Sequence, residues 1–276
     1  MTVLDQLFAD LRSKQRKALM PFFTAGDPNV ATTAAVVRAA RDNGADLCEI
    51  GIPYSDPIAD GPVIQASYQR SLERGFKLQQ AFDLGNQLQT DPVVSPMPRV
   101  TMVSYAIIFR IGPTEYIRRA KQAGYCGAIV PDLLVEEAEE FSSLCREADF
   151  SLIQLVTPTT SRERQIRIAE LSTGFLYYVS ITGITGERTE LPDNLVENVS
   201  WLRENTDLPI CIGFGISGPE TAARLAPVAD GLIVGSAIVR RVHEAMVRES
   251  GGDRTEMAAE SVGEFCRSLR LAIDDA

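Results

Sequence analysis

The chain has 276 residues, 45% of them hydrophobic and 23% charged, which is enough for one sizeable core of ordinary globular composition. No apolar run approaches the roughly 20 residues of a membrane-spanning helix, and the opening MTVLDQLFADLRSKQRK has early acids and no apolar signal segment, so a cytoplasmic protein is expected. A net charge of −10 argues against nucleic acid as a partner but not against an anionic metabolite, because backbone amides and helix N-termini bind phosphate without Lys or Arg.

Along the chain, a helical pattern at 3–12 precedes ALMPFF (18–23), which reads as a strand followed by a helix ending at Gly44. DLCEIGI (46–52) is the second strand-like run, followed by helical patterns at 62–74 and 77–89. RVTMVSYAIIF (99–109) opens the third unit, with its helix at 113–123. GAIVPDL (127–133), FSLIQLV (150–156), FLYYVSI (175–181), LPICIGF (208–214) and GLIVGSAIV (231–239) complete the set, each running into an amphipathic stretch. One of these stretches is the helix at 193–205, and a last helical pattern spans 254–272. The runs are short, continuous and rich in Val, Ile and Leu, as buried parallel strands are. Eight such strand–helix units predict a closed parallel barrel, a single (β/α)8 TIM-barrel domain over 1–276, with extra helices at both termini capping the barrel ends. An open doubly wound sheet is the alternative, but no G-x-G-x-x-G follows the first strand. No linker or charge block divides the chain.

Barrels of this kind place their chemistry at the C-terminal ends of the strands. There the most informative stretch is CEIGIPYSDPIADGPVIQ (48–65). Glu49 alternates with Ile50 and Ile52; if the isoleucines face the helices, Glu49 faces the barrel interior. A buried carboxyl is costly unless it is hydrogen-bonded or used. Glu49 is therefore either a satisfied strand-end glutamate or an acid–base group. Pro53 and Pro57 stiffen the following loop, which holds Asp56 and Asp60 over the barrel mouth. Asp60, before Gly61-Pro62, is either the N-cap of the next helix or a second functional carboxylate. Two carboxyls in different surroundings suit acid–base work, one with a raised pKa and one ionised.

Glycine-bearing turns follow the last three strands: ITGITGE (181–187), GFGISGPE (213–220) and VGSAIVRR (234–241). Loops after strands seven and eight of a barrel often hold phosphate through amides and a helix N-terminus. A phosphate ester is therefore the expected ligand. The segment 182–194 is long for a strand–helix connection and reads as a lid. The single histidine, His243, lies in a helical pattern away from these motifs. No spaced ligand set for a metal is visible, so neither a His-based triad nor a metal site is expected. Cys48, Cys126, Cys145, Cys211 and Cys266 form no C-x-x-C and read as reduced thiols.

EIGIPYSDPIADGPVIQ (49–65) resembles the signature of the tryptophan synthase alpha chain family nearly residue for residue. PFFTAGDP (21–28), YYVSITGITG (177–186), GFGIS (213–217) and VGSAIV (234–239) resemble its other motifs in order and spacing. The resemblance implies retro-aldol cleavage of indole-3-glycerol phosphate to indole and glyceraldehyde 3-phosphate. It implies Glu49 as acid–base residue and Asp60 as the partner of the indole N–H. Phe22 and Tyr177 would line the indole pocket, and Gly186, Gly213, Phe214, Gly215, Gly235 and Ser236 would surround the rest of the substrate, with Thr185 meeting Asp60 when the lid closes. Pro53 and Asp56 would face a beta chain in an alpha2beta2 heterotetramer. No cofactor is implied in this chain, and pyridoxal phosphate belongs to the beta chain. The sequence departs from the family at Ser104-Tyr105-Ala106-Ile107, where many members read close to YYNP, and at Ile181, where some carry Arg. The departure at 104–107 motivates a second reading, a self-sufficient lyase that needs no beta chain, against which Pro53 and Asp56 count; a third reading, a non-catalytic activator of a beta chain, has Glu49, Asp60 and Tyr177 against it.

Overall fold

Each apolar run holds a short strand, and most of the strand residues are buried on both faces. In the computed structural model, which describes residues 2–179, 193–213, 215–248 and 252–276, these are β1 (Ala18–Thr24), β2 (Cys48–Gly51), β3 (Arg99–Met102), β4 (Gly127–Ile129), β5 in two parts (Ser151–Ile153 and Leu155–Val156), β6 (Leu176–Val179), β7 (Ile210–Gly213) and β8 (Gly231–Val234). All pairings among them are parallel. The order runs from the first part of β5 through β4, β3, β2, β1, β8, β7 and β6 to the second part of β5. Both edges of the sheet thus belong to one run of chain, and the Tyr177 amide donates to the Gln154 carbonyl between them at 3.1 Å. An open doubly wound sheet would end on two different strands; this sheet closes on itself.

Strand alternation sorts the core into two layers. Leu19, Phe23, Cys48, Ile50, Ala128, Leu152 and Ile212 pack outward against the helices. Ala18, Met20, Val100, Ile129, Ile153, Cys211 and Ile233 fill the barrel interior. The N-terminal helix α1 (Val3–Ser13) closes the bottom of that interior with Leu4, Phe8 and Leu11. It starts at a capping box in which Thr2 and Asp5 satisfy each other's backbone donors. Above, Phe22, Ile64, Tyr68 and Val239 form a second interior cluster at the C-terminal end.

Helices α2 (Val30–Asp42), α3 (Pro62–Glu73) and α4 (Leu78–Thr90) follow the first two strands as expected. The third unit differs. The run 99–109 is not one strand: β3 stops at Met102, Ser104 caps a short helix α5 (Tyr105–Ile111), and α6 (Pro113–Gln122) follows after Gly112. Ser104 Oγ accepts from the Ala106 amide at 3.2 Å, so a capping signal overrides the apolar run. GSAIV (235–239), the tail of the run 231–239, opens α11 (Ser236–Val247) with the helix start at Gly235-Ser236 that the turn motif suggests. The remaining helices are α7 (Ala138–Glu147), α8 (Arg162–Leu171), α9 (Asp193–Asn205), α10 (Pro219–Leu225) and α12 (Arg254–Asp274). Of the two terminal helices, α1 caps a barrel end. The other terminal helix, α12, was expected over an end but lies on the flank against α2, α10 and α11. Its stripe of Ala258, Val262, Phe265, Leu269 and Ile273 is buried there, and Arg270 donates to the buried Asp46 at 3.0 Å and to the Lys17 carbonyl at 2.9 Å.

The five cysteines are free thiols; all but Cys126 are buried. Among the described residues no helix is long and apolar enough to cross a membrane.

Candidate active site

β2 sets the site. Its pleat sends Cys48 and Ile50 outward and leaves Glu49 inward, beside Phe22 of β1 and Val100 of β3 in register. Glu49 is fully buried, and neither carboxyl oxygen has a hydrogen-bond partner. A glutamate kept for structure is ordinarily satisfied by its neighbours, and among the described residues none hydrogen-bonds Glu49. Burial without compensation pushes the Glu49 carboxyl well above the ordinary glutamate range.

The loop 52–61 brings a second carboxyl over the same mouth. Gln65 of α3 donates to the Pro57 carbonyl at 3.1 Å and the Asp60 carbonyl at 2.8 Å, and the Asp60 amide reaches Pro57 at 3.1 Å. The N-cap of α3 is Gly61, with no side-chain cap, so Asp60 is not spent on capping. Among the described residues its side chain accepts from Tyr54, whose hydroxyl donates across a loose 3.5 Å. Burial, aided by Asp132, raises the Asp60 carboxyl to about 6, against the lowering effect of the Tyr54 hydrogen bond. Asp132, after β4, is itself held by Ser104 Oγ at 2.6 Å and the Tyr105 amide at 2.7 Å. The residues that depart from the family pattern at 104–107 thus build a helix start and fix an acidic neighbour of Asp60. Of the loop residues assigned to a partner, Asp56 is exposed, whereas Pro53 is buried under the loop. The surface there is carried by Asp56 and Ile58, the latter 89% exposed.

Tyr177 of β6 crosses the barrel toward β7. A side chain on Gly213 would run into the Tyr177 ring and hydroxyl, so glycine is what admits the phenol. Burial, then Glu49 and Asp60, hold the Tyr177 phenol protonated. Phe22 is buried beside Ile64 and Tyr68. On the opposite side Gly235 forms the N-cap of α11 without a side-chain cap, and its carbonyl accepts from the Ile238 amide at 2.9 Å and the Val239 amide at 3.1 Å. A Cβ there would meet nothing closer than 3.8 Å, and the nearest atoms belong to Ile64 and Phe22, so Gly235 and Ser236 open onto the same space. Gly215 has φ +84°, a left-handed turn that places the loop after β7. Thr185, Gly186, Phe214, Ile181 and most of the expected lid, 182–192, lie outside the described residues.

Two clefts bracket the molecule. One of about 440 Å³ lies on the C-terminal side, lined by Ala59 of the Asp60 loop with Val130, Leu133, Gln154, Leu155 and Val179. The other, about 480 Å³, lies beneath the barrel among Arg12, Arg16, Lys17, Arg203 and Asp230. There Arg203 pairs with Asp230 at 3.2 Å, and the buried carboxyls of β2 and its loop are at the other end.

The family model for the tryptophan synthase alpha chain matches residues 8–271. The chain belongs to the tryptophan synthase alpha chain family. It is 71% identical to the tryptophan synthase alpha chain of Rhodopirellula baltica over the full length of both, and 43% identical to that of Caldanaerobacter subterraneus subsp. tengcongensis, covering 98% of this chain and 99% of the relative. Among solved structures it resembles tryptophan synthase subunit alpha of Legionella pneumophila, with TM-score 0.90, 32% identity and complete coverage of both chains. A structure of tryptophan synthase from Mycobacterium tuberculosis matches with TM-score 0.85 and 27% identity over 99% of this chain and 98% of that one. Membership accounts for the barrel and for a lyase. Sequence reading passed over Tyr54, Tyr68 and Asp132, which surround the two carboxyls. For Tyr68 a signal existed: it follows Ile64 by one helical turn on the inward side of α3.

Proposed function

We propose that this chain cleaves indole-3-glycerol phosphate to indole and glyceraldehyde 3-phosphate by a retro-aldol reaction. The observation that carries the reading is a fully buried, unpaired Glu49 facing the same barrel mouth as Asp60. Burial favours the protonated form of Glu49, and from that form it delivers its proton to indole C3, giving an indolenine with positive charge at nitrogen. Asp60, ionised above about pH 6, stabilises that charge through the ring N–H. The Glu49 carboxylate then takes the proton of the adjacent glycerol hydroxyl. The C–C bond breaks, its electron pair restores the aromatic indole, and the C–O bond becomes the aldehyde. The carboxyl begins and ends the cycle protonated, so one group serves as acid and base. Phe22 and Tyr177 wall the indole. Gly213, Gly215, Gly235 and Ser236 meet the phosphate end through backbone amides and the start of α11, completed by Gly186 and Phe214, with Thr185 reaching Asp60.

The partner in this reading is a beta chain, in an alpha2beta2 assembly that joins the released indole to serine on the beta chain's pyridoxal phosphate; this chain carries no cofactor of its own. The apolar side chains of Ile58, Phe109 and Leu134, 89%, 72% and 55% exposed, follow the C-terminal ends of adjacent strands β2, β3 and β4 and supply a docking surface beside Asp56. The site of action is the cytoplasm. The test is indole release by the purified chain with and without a beta chain. Activity that rises with the beta chain supports the complex-forming lyase. Equal activity in both identifies a self-sufficient lyase, and none in either, with a stimulated beta chain, an activator without chemistry.

A further inference from the structure

We propose that the Tyr68 hydroxyl is a third polar group of the catalytic site, donating a hydrogen bond to the substrate oxygen from which Glu49 removes a proton. The inference rests on the reading of the site given above and deepens it. Tyr68, on α3, is fully buried, and its Oη has no hydrogen-bond partner. A buried hydroxyl without a partner is costly, and phenylalanine would fill the same volume without that cost. The position of the hydroxyl shows where its partner enters. Oη lies 2.6 Å from the point where a Cβ on Gly51 would stand. Gly51 and Glu49 share the inward face of β2, two residues and therefore about 6.6 Å apart. The absence of a side chain at Gly51 is what lets the Tyr68 tip and the Phe22 ring reach the strand.

Two unpartnered groups, the Glu49 carboxyl and the Tyr68 hydroxyl, thus stand over one stretch of strand on the same side, and the described residues supply no atom to join them. One oxygen of a ligand bridges that gap. Tyr54 does not compete for it: its ring lies 5.6 Å from that of Tyr68, but its hydroxyl is directed to Asp60. Burial, then Asp60, Tyr54 and Glu49, keep the Tyr68 phenol protonated, so it acts as a donor. During the step the hydroxyl oxygen passes its proton to Glu49 and gains negative character as its carbon becomes a carbonyl. A hydrogen bond from Tyr68 strengthens as that charge grows and needs no proton transfer of its own. Its contribution therefore falls on kcat.

The test is Tyr68→Phe, which removes one oxygen and keeps the ring. Expected is a fall in kcat of about 10- to 100-fold, with KM within about threefold. The melting temperature should be unchanged or higher, because no hydrogen bond of the free protein is lost. The same phosphate ester lacking its glycerol hydroxyls should bind wild type and variant equally. Wild-type kcat in Tyr68→Phe overturns the proposal, as does a loss of kcat accompanied by a lower melting temperature and weaker binding of that ester, which would mark a packing role. Glu49→Gln in the same assay separates this from the reading beneath it. An active Glu49→Gln overturns that reading and this proposal with it, whereas an inactive Glu49→Gln beside a fully active Tyr68→Phe overturns the Tyr68 assignment alone.

Discussion

A carboxyl buried without a hydrogen bond destabilises the fold it sits in, and this gives Glu49 a signature separate from activity. Its folded-state pKa is raised above the unfolded value by burial. The stability it permits is therefore fully present below the unfolded pKa and is lost as pH rises toward the folded one. Glu49→Gln removes the ionisable group and no hydrogen bond, so the variant should be at least as stable as wild type at pH 7 to 8 by urea denaturation, while indole release is abolished. A variant that unfolds more readily than wild type there would show that Glu49 has a structural partner. Asp60 makes a second prediction. With its carboxyl at about 6, kcat/KM should fall on the acid side of pH 6. Because Asp132 pushes that value up and the Tyr54 hydrogen bond pulls it down, Asp132→Asn should move the acid limb to lower pH and Tyr54→Phe to higher pH. An acid limb indifferent to both would assign it to another group. The inward turn of Glu49 was legible from its alternation with Ile50 and Ile52. The freedom of Asp60 was not, because Asp before Gly-Pro fits an N-cap equally well and only the backbone identifies Gly61 as the cap.

At the scale of elements, α3 matters most, because it carries Tyr68 and begins where the Asp60 loop ends. It is fastened to the loop after β1 by Arg70, which donates to both oxygens of Asp27 at 3.1 and 2.5 Å, by the Thr24–Ser67 hydroxyl pair at 2.5 Å, and by Ser71 to the Ala25 carbonyl at 2.8 Å. Arg70→Met leaves a buried Asp27 without its cation and should cost about 2–4 kcal/mol in urea unfolding, the partial exposure of Arg70 keeping it below the largest such losses. A cost under about 0.5 kcal/mol would show that the clamp is not what holds α3. The start of α11 offers the complementary test. Gly235→Ala has room for its methyl and a backbone that L-residues accept, so folding should be unaffected. The methyl instead occupies the space opposite Phe22 and Ile64, and glycerol phosphate affinity should fall about tenfold by calorimetry. Unchanged affinity would move the phosphate elsewhere. Most elements were legible as apolar runs followed by amphipathic stretches. One was misread because its helix start lies inside an apolar run: Ser104 begins a helix where Ile, Val and Phe alone suggest strand. The flank position of α12 was hidden for a different reason, since an amphipathic pattern gives the buried stripe of a helix but not its neighbour.

For the whole molecule, closure of the sheet through the single run 151–156 fixes where everything else goes. It gathers the ends of β1, β2, β6, β7 and β8 around one mouth and leaves those of β2, β3 and β4 to present Ile58, Phe109 and Leu134 outward. The eightfold repeat was legible from sequence; the exposure of Ile58, Phe109 and Leu134 was not, because they are scattered over three loops and elements. Phe109→Asp, at a 72% exposed position, should leave the melting temperature within about 1–2 °C of wild type and weaken beta-chain binding at least about tenfold in a titration. Binding at wild-type strength would place the interface on another face. The central claim, that a buried Glu49 and an ionised Asp60 make this barrel a lyase for indole-3-glycerol phosphate, is tested most directly by steady-state indole formation from that ester. The measurement compares wild type and Glu49→Gln, both confirmed folded by circular dichroism. The account predicts indole and glyceraldehyde 3-phosphate in equal amounts from wild type and less than a hundredth of that rate from Glu49→Gln, a loss of the size expected when an acid–base group is removed, about 10²- to 10⁴-fold. Indole release by Glu49→Gln at a tenth of the wild-type rate or more would contradict it.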